Sequence, residues 1–204
     1  MNATLARSEL ILGGQKSGKS RRAELLAQGW LAQSSHHRAL LVATGQPWDD
    51  EMRQRIARHQ SDRAERVPGM LTVEEPLDLA AALRQHSSAQ TLVVIDCLTL
   101  WLTNWTMPQE AAEPVEATND QKYGSNQPLA LCFRAQAALF LEAIENAPGP
   151  VVLVGNEIGL GVIPLGSEVR AFVDALGVLN QQVAQACQRV TLMAAGLPLT
   201  LKGA

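Results

Sequence analysis

The segment Gly13-Gly14-Gln15-Lys16-Ser17-Gly18-Lys19-Ser20 constrains this chain more than any other feature, because it matches G-x-x-x-x-G-K-[ST] in full. It follows the apolar run Leu10-Ile11-Leu12 and opens a helix-forming stretch over 19–33. Glycines permit backbone conformations that turn several N–H groups inward, and the helix behind them adds the positive end of its dipole. The loop is therefore a cradle for phosphates. Lys19 brings a point charge to the β- and γ-phosphates of a nucleoside triphosphate. The Ser20 hydroxyl is the expected Mg2+ ligand, since Mg2+ takes a few protein oxygens beside phosphates and water. A glycine-rich turn that merely caps a helix is the alternative, and the strand before and the helix after the loop argue against it.

The remaining pattern agrees with that start. Short apolar runs recur at 40–43, 92–95, 151–154 and 190–193, the second of them ending at Asp96. Uninterrupted runs of this length suit strands covered on both faces of a parallel sheet. Helix-like stretches at 19–33, 49–66, 77–85, 129–146 and 168–188 alternate with them. This predicts an open α/β sandwich, a mostly parallel central sheet with helices on both faces and right-handed crossovers. One domain spanning 1–204 suffices. The segment 108–128, with Glu110, Glu113, Glu116 and Asp120 and little apolar periodicity, reads as an exposed acidic insertion. Residues 197–202 alternate apolar and polar and read as an edge strand that tolerates Pro198.

Charge and composition narrow the partners. Seventeen Lys and Arg against 20 Asp and Glu leave a net charge of −3, with no basic excess for nucleic acid or an anionic membrane. Cys97, Cys132 and Cys187 are too few and too scattered for a disulfide framework or a zinc site, which fits a reducing compartment. No apolar run approaches the roughly 18 residues a membrane span requires, and the first residues lack a signal-peptide core. A soluble, cytoplasmic protein without a membrane span is the expectation.

Two further features bear on chemistry. A phosphate-binding loop works with a carboxylate at the end of a neighbouring strand, and Asp96 is the candidate; capping the helix predicted at 98–105 is its compatible alternative role. In the stretch 49–63 acids come first and cations later, as a helix dipole favours. His59 there has Arg55 four residues before it and Arg63 four after, so all three share one face. Arginines hold phosphate oxygens and imidazole is an accepted covalent nucleophile. On spacing alone, however, a solvated helix face is the stronger reading of His59. His36, His37 and His86 form no pair with metal-ligand spacing. Asn156-Glu157 closes an apolar strand where α/β ligands bind; Glu157 either acts on substrate or holds the Gly159/Gly161 turn.

Taken together these residues resemble the bifunctional adenosylcobinamide kinase/adenosylcobinamide-phosphate guanylyltransferases of cobalamin biosynthesis. The resemblance runs over nearly the whole chain. It is carried by the loop 13–21, Ala43-Thr44, Asp50-Glu51-Met52 with Arg55, Ile56 and His59, and Glu74-Glu75-Pro76. Asp96-Cys97-Leu98-Thr99-Leu100-Trp101-Leu102-Thr103-Asn104 and the segment 156–164 follow, and then Arg170, Phe172, Asp174, Gly177, Asn180 and Gln181. The His59 helix and the Asn-Glu-x-Gly-x-Gly-x-x-Pro segment, in this order, are its specific parts.

The resemblance implies a RecA-like P-loop NTPase fold and two reactions. An NTP such as ATP phosphorylates the adenosylcobinamide hydroxyl. GTP then gives its GMP to an enzyme histidine, releasing pyrophosphate, and the GMP passes to adenosylcobinamide phosphate to form adenosylcobinamide-GDP. His59 becomes the nucleophile, and Lys19 serves catalysis with it. Gly13, Gly14, Gln15, Lys16, Ser17, Gly18, Lys19, Ser20, Thr44, Gly45, Gln46, Gln60, Ser61, Asp62, Arg63, Glu74 and Asp96 are implied to contact GTP or its Mg2+, with Ser20 and Asp96 on the metal. A homotrimer is also implied.

Attack at the α-phosphorus and transfer of the γ-phosphoryl group need different geometries, so the His59 helix is expected to move or GTP to bind in a second pose. Trp101, Leu102 and Trp105 are either core or a surface for the corrin or a neighbouring subunit. Lys16 replaces an arginine frequent in the family, keeping the charge but losing the bidentate fork. Two rivals remain at this stage: a P-loop kinase without guanylyl transfer, and a RecA-type module acting on nucleic acid, which the lack of a basic stripe with interleaved aromatics disfavours.

Overall fold

Alternation of apolar side chains along each strand builds two separate cores on the two faces of one sheet. The computed structural model describes residues 5–107 and 126–203. Seven strands, β1 (Ser8–Gly13), β2 (Arg38–Ala43), β3 (Leu71–Glu74), β4 (Thr91–Asp96), β5 (Val151–Val154), β6 (Arg189–Ala194) and β7 (Leu197–Lys202), lie in the order β3-β2-β4-β5-β1-β6-β7. Every neighbouring pair is parallel except β6 with β7. The helices are α1 (Lys19–Leu31), α2 (Asp50–Arg66), α3 (Leu79–His86), α4 (Leu98–Thr106), α5 (Asn126–Asn146) and α6 (Ser167–Ala186). Strand β5 stands between β1, which feeds the phosphate loop, and β4, which ends in Asp96. That insertion is the RecA-like arrangement of P-loop NTPases.

Leu10, Leu12, Val93, Ile95, Val151 and Leu153 point to the face covered by α3, α4, α5 and α6. Their chain neighbours Ile11, Leu92, Val94, Val152 and Val154 point to the other face, against Ala23, Leu26 and Ala27 of α1. A period of two with both phases apolar is what a sheet buried on both sides requires. Trp101 and Leu102 are wholly buried, and the Trp101 ring meets Phe140 edge-on at a centroid distance of 5.2 Å. These two residues are core, because α4 is sandwiched among the sheet, α5 and α6; Trp105 is half-buried beside them.

The predicted helices and strands recur with boundaries moved by a few residues. β3 is the element that the apolar runs did not announce. It has four residues, and Leu71 is 60% exposed, so no continuous apolar run marks it. Residues 197–202 form the expected edge strand, with Pro198 opposite Met193. Of the acidic segment at 108–128, residues 108–125 lie outside the described residues, and 126–128 already belong to α5. No helix among the described residues is long and apolar enough to cross a membrane.

Helix α2 is unusual in that none of its 17 residues is buried. It depends on its ends. The Asp49 carboxylate accepts from the Met52 N–H at 2.7 Å, Asp50 and Glu51 fill the first turn, and Arg63 and Arg66 fill the last. Asp49→Ala is expected to cost about 1 kcal/mol of local helix stability. Amide exchange at residues 51–53 should accelerate about fivefold, and unchanged exchange there would show that the cap is not limiting.

Candidate functional site

Parallel register gathers the chemistry-bearing residues at one edge of the sheet. Ile11 pairs with Val154, Val154 with Asp96, Asp96 with Ala43, and Ala43 with Glu74. The phosphate loop, Gly155-Asn156, Cys97, Thr44 and Glu75 therefore all leave the sheet at its carboxyl edge, where open α/β sheets bind ligands.

The loop itself is tightly braced. Gly13 must be glycine: a Cβ there would lie 2.5 Å from both the Met193 carbonyl oxygen and Ser17 Oγ. Gly18, with φ of 101°, caps α1 without any side-chain acceptor. The Gly196 N–H donates to the Ser17 carbonyl at 3.0 Å, and the Glu157 N–H donates to the Gly13 carbonyl at 3.1 Å. Gly14, Gln15 and Lys16 are exposed, and Lys16 takes a φ of 55° at the crest of the loop. Lys19 Nζ donates to the Gly14 carbonyl at 2.6 Å. Burial lowers the Lys19 pKa from the ordinary lysine value, while the Asp96 carboxylate opposes that shift and Arg55 adds to it.

Ser20 Oγ donates to Asp96 Oδ2 at 2.7 Å, so the two residues expected to share a metal are in direct contact. Asp96 is not the cap of α4. That position is taken by Cys97, whose Sγ accepts from the Leu100 N–H at 3.5 Å. Burial, reinforced by Asp96, pushes the Cys97 thiol up to about 12, which leaves it protonated and unreactive at neutral pH.

Thr44 is fully buried, and its hydroxyl both donates to the Cys97 carbonyl and accepts from the Cys97 N–H, each at 2.8 Å. Its side chain is thus a strut between β2 and β4. Asn104 Nδ2 donates to the carbonyls of Thr44 (2.9 Å) and Pro76 (3.0 Å), tying together the ends of β2 and β3. Asn156 is held in the same way, its N–H donating to Thr99 Oγ1 at 3.0 Å and its carbonyl accepting from Asn180 Nδ2 at 3.0 Å. The sequence alone assigns no role to Thr99, Asn104 or Asn180. For Asn104 and Asn180 the available signal is a polar residue at a core position of a helix face; Thr99, partly buried, carries none. Glu157 Oε1 accepts from the Gly159 N–H at 3.1 Å, so of its two expected roles the turn-holding one is observed.

Helix α2 lies over this edge. With the Gln15 amide oriented to accept, Arg55 donates to it through Nη1 at 3.2 Å and through Nη2. Ile56 packs near Gly45, where a Cβ would lie 3.8 Å from Ile56 Cδ1 and 3.4 Å from Leu100 Cδ1. Arg63 Nη2 donates to Thr72 Oγ1 at 3.2 Å. Burial lowers the Arg63 pKa from the usual arginine value, with the nearby carboxylates Glu24 and Asp96 opposing the shift. Asp62 accepts from Arg66 at 3.1 Å. His59, Gln60 and Ser61 are exposed on the same helix, Gln46 is half-buried after Gly45, and Glu74 is exposed at the end of β3. The structure thus brings Gln15, Lys19, Ser20, Asp96, Arg55 and Arg63 together. It leaves His59 on the arginine face, one turn from each arginine, without burying it.

Known proteins supply the comparison. A family model described as cobinamide kinase / cobinamide phosphate guanyltransferase matches residues 9–201. A bifunctional adenosylcobalamin biosynthesis protein, CobP, from Pseudomonas aeruginosa is 44% identical over 199 residues, covering 96% of this chain and 97% of that protein. The bifunctional adenosylcobalamin biosynthesis proteins CobU of Escherichia coli and Salmonella typhimurium are 32% and 28% identical over 193 residues, each comparison covering 95% of this chain and 98% of the relative.

Proposed function

The chain belongs to the cobinamide kinase / cobinamide phosphate guanyltransferase family, and from that premise we propose that it carries out both reactions in one catalytic domain through a covalent guanylyl-histidine at His59. The observation that carries this reading is the placement of α2. Arg55 sits on the phosphate-loop residue Gln15, Arg63 lies within electrostatic reach of Asp96, and His59 shares their face.

In the kinase reaction the adenosylcobinamide hydroxyl oxygen attacks the γ-phosphorus of ATP or GTP, its proton passes to water, the bond to the β-bridging oxygen breaks, and the nucleoside diphosphate leaves. The loop N–H groups and Lys19 stabilise the charge that gathers on the transferring oxygens, so no covalent intermediate is needed. In the guanylyl reaction an imidazole nitrogen of His59 attacks the α-phosphorus of GTP, the α–β bridging bond breaks, and pyrophosphate leaves. A phosphate oxygen of adenosylcobinamide phosphate then attacks the same phosphorus, the P–N bond breaks, and adenosylcobinamide-GDP forms with His59 restored. Arg55 and Arg63 suit the phosphate oxygens on either side of that phosphorus. Gly45, Gln46, Gln60, Ser61, Asp62 and Glu74 complete the nucleotide contacts in this reading; Thr44, expected among them, is wholly buried, with its hydroxyl engaged by Cys97, its N–H by the Asp96 carbonyl and its carbonyl by Asn104, so it supports the nucleotide edge from beneath.

Ser20 Oγ and Asp96 Oδ2, hard oxygens 2.7 Å apart beside the phosphate loop, fit Mg2+, which takes few protein oxygens and shares the rest with phosphate and water. When bound there, Mg2+ supplies neutralisation of phosphate charge. The two phosphorus atoms need different approaches, so α2 shifts or GTP takes a second pose. The lack of any buried residue in α2 supports a shift at small cost in uncovered apolar area. A cytoplasmic homotrimer completes the proposal.

The deciding experiment incubates the protein with Mg2+ and GTP labelled at the α-phosphate, then denatures it. Acid-labile label retained on the polypeptide is expected, and γ-labelled GTP should leave none. A wild-type protein that retains no α-label is a simple P-loop kinase, and the guanylyl-histidine reading fails.

A further inference from the structure

An exposed helix that carries a nucleophile needs something other than an apolar face to set its position. In α2 the anchors are polar. Arg55 meets Gln15 near one end, and at the other Arg66 Nη1 donates to Glu24 Oε2 at 3.2 Å. Glu24 belongs to α1, the helix that starts at Lys19, and its side chain is only 8% exposed. Arg21 Nη1 approaches the same oxygen at 3.7 Å, and the Arg63 guanidinium lies within electrostatic reach of this carboxylate. The last turn of α2 therefore converges on one buried negative charge, which belongs to the helix that begins at the phosphate loop. Arg66 also bonds Asp62, so the turn just after His59 is tied into the same group.

We propose that Glu24 is a positioning residue for nucleotidyl transfer: by holding Arg66 it seats the carboxyl-terminal turn of α2 on α1 and so sets where the His59 imidazole stands over the phosphate loop. This rests on the reading of His59 as the nucleophile. His59 is about two turns from Arg66, so a small rotation at the anchor displaces the imidazole by an ångström or more, and a misplacement of that size is costly in a step that needs aligned attack. Glu24→Gln keeps the shape and removes the charge that holds the guanidinium. Transfer of the γ-phosphoryl group does not use His59, so it serves as an internal control that a general loss of structure would also depress.

The test uses the full chain, measuring in single turnover the labelling of protein by α-labelled GTP and, separately, γ-phosphoryl transfer to adenosylcobinamide. Glu24→Gln is expected to slow labelling about tenfold or more while γ-transfer stays within about twofold. Arg66→Ala, at a side chain 40% exposed, should do the same, and the double variant should be no slower than either single one because both remove one bond. Arg66→Lys should restore part of the labelling rate. Labelling at the wild-type rate in both single variants overturns the inference. So does a proportionate loss of both activities in Arg66→Ala, which marks a merely structural contact. A wild-type protein that takes no label overturns the nucleophile reading and this inference with it.

Discussion

Replacing His59 with alanine is expected to reduce covalent labelling by α-labelled GTP by about 10⁴-fold or more, to background, because removing a covalent nucleophile leaves no lesser version of the step. Adenosylcobinamide-GDP should no longer form from adenosylcobinamide phosphate. Transfer of the γ-phosphoryl group should continue near the wild-type rate, since Lys19 and the loop N–H groups that act on it are untouched. The fold should not notice the change: His59 is exposed on a helix without buried residues, and surface substitutions of this kind cost within about 0.5 kcal/mol. Thermal unfolding beside the two assays separates the cases. A variant that still takes acid-labile label would mean another nucleophile. Cys97, the nearest thiol to the loop, is a poor substitute, being buried and held protonated by a pKa of about 12.

Lys19→Ala should instead impair both reactions, each by about 10²- to 10³-fold, as expected when one preorganised donor is removed from a developing phosphoryl charge. Its stability signature differs from that of an ordinary core truncation. The Lys19 pKa is lowered chiefly by burial, so its cation costs stability in the folded state at pH values below that lowered pKa. The cost fades as pH rises toward and past the ordinary lysine value of 10.5. At neutral pH the alanine variant therefore sheds this cost along with the bond to the Gly14 carbonyl, and its unfolding temperature should hold while activity collapses. Kinetics and a melting curve on the same preparation check this. Retained kinase activity, or an unfolding temperature lower by ten degrees or more, would contradict the account.

Neighbouring features of the site were legible to different degrees. The phosphate loop was readable because its function is local: glycine conformations, one lysine and a helix start within eight residues. Strands β1, β2, β4, β5 and β6 were readable because burial on both faces leaves uninterrupted apolar runs. β3 was not, since an edge strand of four residues with Leu71 exposed carries no such run. Its place at a strand end marks Asp96 as the carboxylate of the loop, but only the bond to Ser20 Oγ and the cap at Cys97 exclude the alternative of capping α4. Thr44 could be marked for this edge from the chain alone, though not as a buried strut.

The order of residues along the chain alone determined the parallel α/β class, the phosphate cradle and the helix on which His59, Arg55 and Arg63 share a face, because these follow from local conformational preference and periodicity. Only the tertiary structure decided which carboxylate meets Ser20, which strand ends Asn104 joins, and that Glu24 receives Arg66. Those partners are 28 to 76 residues apart in the chain and come together through strand order and register. A hydrogen bond depends on the final separation of two polar atoms, and no local pattern encodes that distance.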